Sequence, residues 1–475
     1  MILLLSILLL LATFSTKLIS RFGVPGLVIF LGLGMLFGSD GLNLIYFDDP
    51  LLAQRIANVA LIIILFEGGF NTKREELQSS FKPAFTLATV GVFITAVTLG
   101  LATHYIVGLS LEASLLVGAI VSSTDAAAVF SIFRNKSIQP KLATTLKAES
   151  ASNDPMAIIL TIALLDYMKN TNFNLFPFIA HLMWQIVAGI GVGYLFGKLG
   201  PYLFNRARLE SGGFYYVLSL GFCYLSFGVA EIIKANGFLA VFIAGYLLGN
   251  SKFVYKQRIA RFLEGTSTFC NIILFLMLGL LVFPSQLPAF IKEGVFIALL
   301  LMLVARPTAV FLTTLFWDYN LKEKLFLCWG GIRGAVPIVL ATYPYVAGVD
   351  HSNYFFNVVF FIVLLTALIQ GSSLDILAHK LKLFAGTKKT SPHSLELIST
   401  ENTKCELLEF EVEKGSSLIG KRLEHIPLPK TTLVTAIVRH DDIVPPRGDT
   451  EIQEEDILFI LTYQEDKEHL IALLE

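Results

Sequence analysis

Apolar segments of about 20 residues, long enough to cross a bilayer as helices, recur along this 475-residue chain from its start to about residue 380. They fall near 2–20, 24–38, 51–70, 83–108, 112–133, 141–166, 177–200, 213–231, 236–250, 259–283, 287–315, 322–347 and 353–378. Lipid offers no hydrogen bonds, so each segment must satisfy its own backbone, and a bundle of about thirteen spanning helices is the expected fold. The composition agrees. The chain is 55% hydrophobic and 15% charged, with a mean hydropathy of +0.69, whereas soluble domains carry about 25% charged residues.

The net charge of −1 argues against a nucleic-acid partner, since phosphate binding needs a basic surface. Cys223, Cys270, Cys328 and Cys405 are scattered without CxxC spacing, so neither a disulfide scaffold nor a zinc site is expected. The histidines do not cluster, and no cofactor or resident metal is expected. Residues 1–16 lack a basic leader and a cleavage site, so they read as a retained first helix.

Basic residues crowd alternate loops. One set holds Lys73, Arg74, Arg134, Lys136, Lys141, Arg206, Arg208, Lys252, Lys256 and Arg258, whereas the other holds Arg55, Lys169, Lys234 and Lys292. That asymmetry puts the N-terminus outside and the C-terminus in the cytoplasm. An odd number of spans with termini on opposite sides fits an inverted repeat of six helices, one linking helix and six more. Such repeats commonly carry broken helices that meet at the bilayer midplane. Two segments look breakable, at Ser122-Ser123-Thr124-Asp125 and at Gly330-Gly331-Ile332-Arg333-Gly334 with Pro337.

Carboxylates inside these segments are costly and mark function by default. Asp154 lies midway along an apolar stretch beside Asn153, and Asp125 lies in the preceding segment. On a helix, Ser150 shares a face with Asp154, and Glu149 with Asn153. A carboxylate in a dry setting needs a proton or a cation, and competition between the two is the simplest exchange mechanism. Glu67 ends the third span and is a further candidate ligand. Arg306 and Arg333 keep their charge and need a counter-charge, for which Glu149 is the best candidate. Arg306, nearer the cytoplasmic end, has the stronger case for snorkelling to the headgroups.

Beyond about residue 383 the composition turns polar. Residues 385–404 read as a linker between a transmembrane exchanger domain (1–384) and a small α/β cytoplasmic module (405–475). Within the module, 407–412, 433–438 and 457–462 read as strands, and 417–426 and 467–474 as helices.

Glu-Ser-x-x-Asn-Asp at 149–154, Ser-Ser-Thr-Asp-Ala-Ala at 122–127, Phe-Glu-Gly-Gly at 66–69 and Gly-Gly-Ile-Arg-Gly-Ala-Val-Pro at 330–337 together resemble the cation:proton antiporter-1 family. The resemblance covers roughly residues 1–385. It implies a homodimer of thirteen-helix subunits in a bacterial inner membrane, with a core domain moving elevator-like against a dimerisation domain. It further implies that Asp154 is the transport carboxylate, with Asn153, Asp125, Thr124, Ser150 and Glu67 completing the site. Glu149 is then an ion-paired glutamate whose partner is Arg306 or Arg333. Gly420-Lys421-Arg422-Leu423 and Pro446-x-Gly448-Asp449-Thr450 make the tail resemble a TrkA-C regulatory module. Related modules suggest a small anionic ligand for it.

The expected function is secondary exchange of a monovalent cation for protons, electroneutral and without enzymatic chemistry. The exchanger and tail together resemble the potassium/proton, cell-volume-regulation branch of the family, which implies that K⁺ is favoured over Na⁺. Na⁺/H⁺ exchange is the alternative within the family. A regulated cation channel is a rival suggested by the tail alone, and the absence of a short re-entrant filter segment counts against it.

Overall fold

The computed structural model describes residues 2–22, 25–74, 82–133, 137–169, 175–386, 405–412, 416, 418–429, 431–439, 442–463, 466, 470 and 473–474. The chain divides into two compact units, residues 1–251 with 259–387, and residues 252–258 with 388–475.

The first unit is helical. Among the described residues, Pro50–Asn71, Lys82–Val107, Phe176–Arg206, Gly212–Ile232, Lys256–Leu280, Leu287–Thr313 and Ser352–Leu381 are long and apolar enough to cross a membrane. Shorter apolar helices include Gly26–Phe37 and Gly237–Gly249. Large apolar side chains such as Phe176, Trp184, Val217, Ile232 and Phe316 stand exposed on the surface, as suits contact with lipid. Pro50–Asn71 and Gly237–Gly249 pack with their backbones touching. A Cβ on Gly245 or Gly249 would lie 2.4 or 2.0 Å from the carbonyl oxygen of Phe66 or Phe70, so only glycine permits this approach.

Both expected breaks are present. Leu111–Ile120 and Ala126–Ile132 are separated by residues 121–125, and Leu321–Trp329 and Ala335–Leu340 by residues 330–334. The spans preceding them share a second irregularity. Lys82–Val107 contains a π turn at Leu87–Gly91, and Leu287–Thr313 contains one at Leu301–Ala305. Each π turn packs against the other span's helix. The helix Pro140–Lys169 carries Asp154 and, unusually, an internal proline, Pro155. Proline has no N–H, so the carbonyl of Ala151, one turn earlier, lacks its usual helical donor beside Asp154.

The polar linker begins later than composition suggests. Ala385 lies within a strand, Phe384–Gly386, that pairs antiparallel with Ser137–Ile138, and Gln139 N–H donates to the carbonyl of Leu383 at 3.0 Å. Most of the expected linker lies outside the described residues.

The second unit contains a four-stranded antiparallel sheet. Its order is Cys405–Glu411, Ile457–Tyr463, Leu433–Arg439, Asp442–Val444. Val412, Leu418, Val434, Ile437, Leu458 and Ile460 form its main core. The helix expected over 417–426 is instead a turn with a short 3₁₀ element at Leu423–His425. Gly420 adopts φ +78, and its N–H donates to the carbonyl of Ile452 at 2.8 Å, which diverts the chain from helical geometry. The strand Asp442–Val444 is too short to read from sequence. Most of the expected closing helix, 467–474, lies outside the described residues.

Candidate functional site

The two breaks meet. The N–H of Asp125 donates to the carbonyl of Ile332 at 2.7 Å, and the Asp125 carboxylate accepts from Ala127 and Ala128 N–H at 2.8 and 3.3 Å. Asp125 is therefore the N-cap of Ala126–Ile132 as well as an acid. The helix Pro140–Lys169 is stitched to the first break by two side chains one turn apart. Ser150 Oγ donates to the Thr124 carbonyl at 2.9 Å and accepts from Ala126 N–H at 2.9 Å. Asn153 Nδ2 donates to Thr124 Oγ1 at 2.6 Å. These contacts set Asp154 against the break, on the wall of the same cavity as Asp125 and Ser123.

Asp154 and Asp125 border a cavity of about 580 Å³. Thr124, Ser150 and Glu67 also line it, together with Ser123, Asn71, Ser267, Asn271 and Lys147. Glu67 Oε1 accepts from Asn71 Nδ2, and Oε2 accepts from Ser267 Oγ at 3.4 Å. Five of the six candidate ligands thus share one cavity. Asn153, fully buried, stands behind Thr124 rather than on the wall. Ser267 and Asn271, which no sequence motif singles out, belong to the helix Lys256–Leu280.

The arginines divide the work unevenly. Arg306 forks onto Glu149, through Nη1 to Oε1 and through Nη2 to Oε2 at 3.0 Å. Both side chains are almost wholly buried, at 3% and 1% exposure. Arg306 is therefore no snorkelling residue. It directly follows the π turn Leu301–Ala305, which reorients the helix face that carries it. Its Nη2 also donates to the Leu327 carbonyl at 3.1 Å. Arg333 does not pair with Glu149. Its Nη1 donates to the carbonyls of Ser122 and Ser123, at 2.6 Å each, which are the acceptors exposed where Leu111–Ile120 ends. A cation there also opposes the negative end of the helix dipole.

A cavity where two helix breaks meet, with acids and hydroxyls set in a largely apolar wall, suits a small hard cation. The sodium/hydrogen exchanger transmembrane family matches residues 5–380. The chain belongs to that family. It is by that membership a membrane-spanning cation/proton antiporter, and the TrkA-C domain family matches residues 407–475. The K⁺/H⁺ antiporter NhaP of Alkalimonas amylolytica is 36% identical over 479 residues, covering 100% of this chain and 83% of the relative. The K⁺/H⁺ antiporter NhaP2 of Shewanella sp. strain ANA-3 is 35% identical over 461 residues, covering 96% and 79%. Among solved structures, the sodium proton antiporter MjNhaP1 of Methanocaldococcus jannaschii at pH 8 superposes with a TM-score of 0.70 at 25% identity. That match covers 80% of this exchanger and 98% of MjNhaP1.

Proposed function

We propose that this antiporter exchanges K⁺ for H⁺ one for one, with Asp154 as the carboxylate that holds either ion in turn. The observation that carries this reading is the shared cavity, where Asp154 and Asp125 stand among the oxygens of Ser123, Thr124 and Ser150. Oxygen donors suit alkali cations, and Ala151 adds a carbonyl without its helical donor. Ser150 and Asn153 position Thr124, Glu67 draws cations into the vestibule, and the Glu149–Arg306 pair holds the core. One-for-one exchange is supported by Asn153, a neutral amide where a second acid would add charge to the cycle.

The preference for K⁺ rests on two relatives named K⁺/H⁺ antiporters that span nearly the whole chain, tail included. Na⁺ is the second reading, supported by the fold shared with MjNhaP1. The loop charges support an N-terminus outside and a C-terminus in the cytoplasm of a bacterial inner membrane. The functional unit is a homodimer, and residues 405–475 regulate it through a small anionic ligand. The deciding experiment is dequenching of a pH-sensitive dye in everted vesicles on adding K⁺, Na⁺ or Li⁺ separately. A larger K⁺ response supports the proposal; a response to Na⁺ or Li⁺ with none to K⁺ overturns the selectivity.

A further inference from the structure

The cavity is not purely acidic. Lys147 lines it, and among the described lining residues it is the one basic side chain beside three acids, Glu67, Asp125 and Asp154. The helix Pro140–Lys169 puts Lys147, Ser150 with Ala151, and Asp154 at positions i, i+3/i+4 and i+7, which recur on one helix face, and all four line the cavity. The rise per residue places Lys147 about 10 Å from Asp154 along the axis. Lys147 is exposed whereas Asp154 is half-buried, so Lys147 stands nearer the mouth of the cavity than Asp154 does. Its ammonium lies 5.4 Å from the centre of the Phe130 ring. Phe130 belongs to the half-helix that Asp125 caps. The ammonium is therefore held between the two elements that supply the inner carboxylates.

We propose that Lys147 is an electrostatic gate that sets the affinity of the cavity for its cation at the cytoplasmic mouth. A fixed positive charge there repels the entering ion and favours its release, while offsetting part of the repulsion among the three acids. This rests on the assignment of Asp154 as the transport carboxylate. Two unit charges about 10 Å apart at an effective dielectric between that of a protein surface and water change affinity by about two- to tenfold. The effect shrinks with added salt, because the mouth is solvated.

A field effect acts on both competing ions equally, and that equality is its signature. Removing the charge should tighten cation and proton binding by the same factor. In everted vesicles, Lys147→Gln is expected to lower the half-saturating K⁺ concentration about two- to tenfold at alkaline pH. The acid limb of the pH profile should move to alkaline pH by the logarithm of the same factor. Lys147→Arg should behave as wild type, and inert salt should shrink the effect of Lys147→Gln. Asp154→Asn serves as the companion variant. If Asp154→Asn still exchanges, the reading of the site fails. If Asp154→Asn is silent and Lys147→Gln matches wild type in both measures, the gate alone fails. A lower maximal rate with both measures unchanged would make Lys147 a structural residue and also overturn the gate.

Discussion

Asp125 joins the two helix breaks through its own backbone, its N–H donating to the carbonyl of Ile332 at 2.7 Å, while its carboxylate caps the half-helix that follows. One residue therefore ties the two broken segments together and supplies an acid to the cavity. The two duties are separable. Asparagine can cap a helix almost as well as aspartate, whereas alanine cannot, at a cost of about 1 kcal/mol. Asp125→Asn should keep its melting temperature and alter the cation dependence of exchange. Asp125→Ala should lower the melting temperature as well. Equal melting of the alanine variant and wild type would remove the capping role.

Gly334 gives Asp125 its room. A Cβ there would lie 2.5 Å from the Asp125 Oδ2 and 2.6 Å from its Cβ. Gly334→Ala should therefore displace the Asp125 carboxylate and cut exchange strongly in a protein that still inserts. Near-normal exchange with unchanged cation affinity would contradict that geometry.

Glu149 and Arg306 should behave as a unit. Removing one member of a buried pair leaves an uncompensated charge, at a cost of about 3–5 kcal/mol. Glu149→Gln and Arg306→Gln should each melt early, and the double variant should lose less than their sum. Glu149→Gln combined with Arg333→Gln should be closer to additive. A coupling of Glu149 to Arg333 larger than that to Arg306 would overturn the pairing.

The spans, both breaks and the acids were legible because each follows from local chemistry. Lipid forces every segment to bond to itself, and polar or glycine-rich interruptions announce where it cannot. The partner of Glu149 was not legible. Arg306 lies 157 positions away, and its aim depends on a π turn that no residue pattern in Leu301–Ala305 announces. The start of the linker is not legible for a similar reason, since Phe384 owes its strand to Ile138 far upstream. In the tail, Gly420 is legible as a family motif, but its left-handed backbone, which ends any helix there, is set by its bond to Ile452 across the fold.

Residues 405–475 should be dispensable for the exchange cycle itself. The strand pairing at 384–386 places the proper cut after Gly386, so that the exchanger unit keeps its own closing strand. The truncated protein should exchange with an altered pH or ligand dependence. A protein that folds and inserts but transports nothing would make the tail part of the cycle.

Exchange should ignore voltage if one cation moves for one proton. A membrane potential imposed without valinomycin should leave the initial rate nearly unchanged. Clear acceleration by the potential would require a second charge in the cycle, and Asn153 would no longer explain the stoichiometry.

The most direct measurement is cation-dependent dye dequenching in everted vesicles carrying Asp154→Asn, across the pH range, beside wild type at matched expression. Asparagine preserves shape and hydrogen bonding but removes the charge for which cation and proton compete. Exchange should vanish at every pH in a protein that still inserts; substantial residual exchange at any pH would contradict Asp154 as the shared carboxylate.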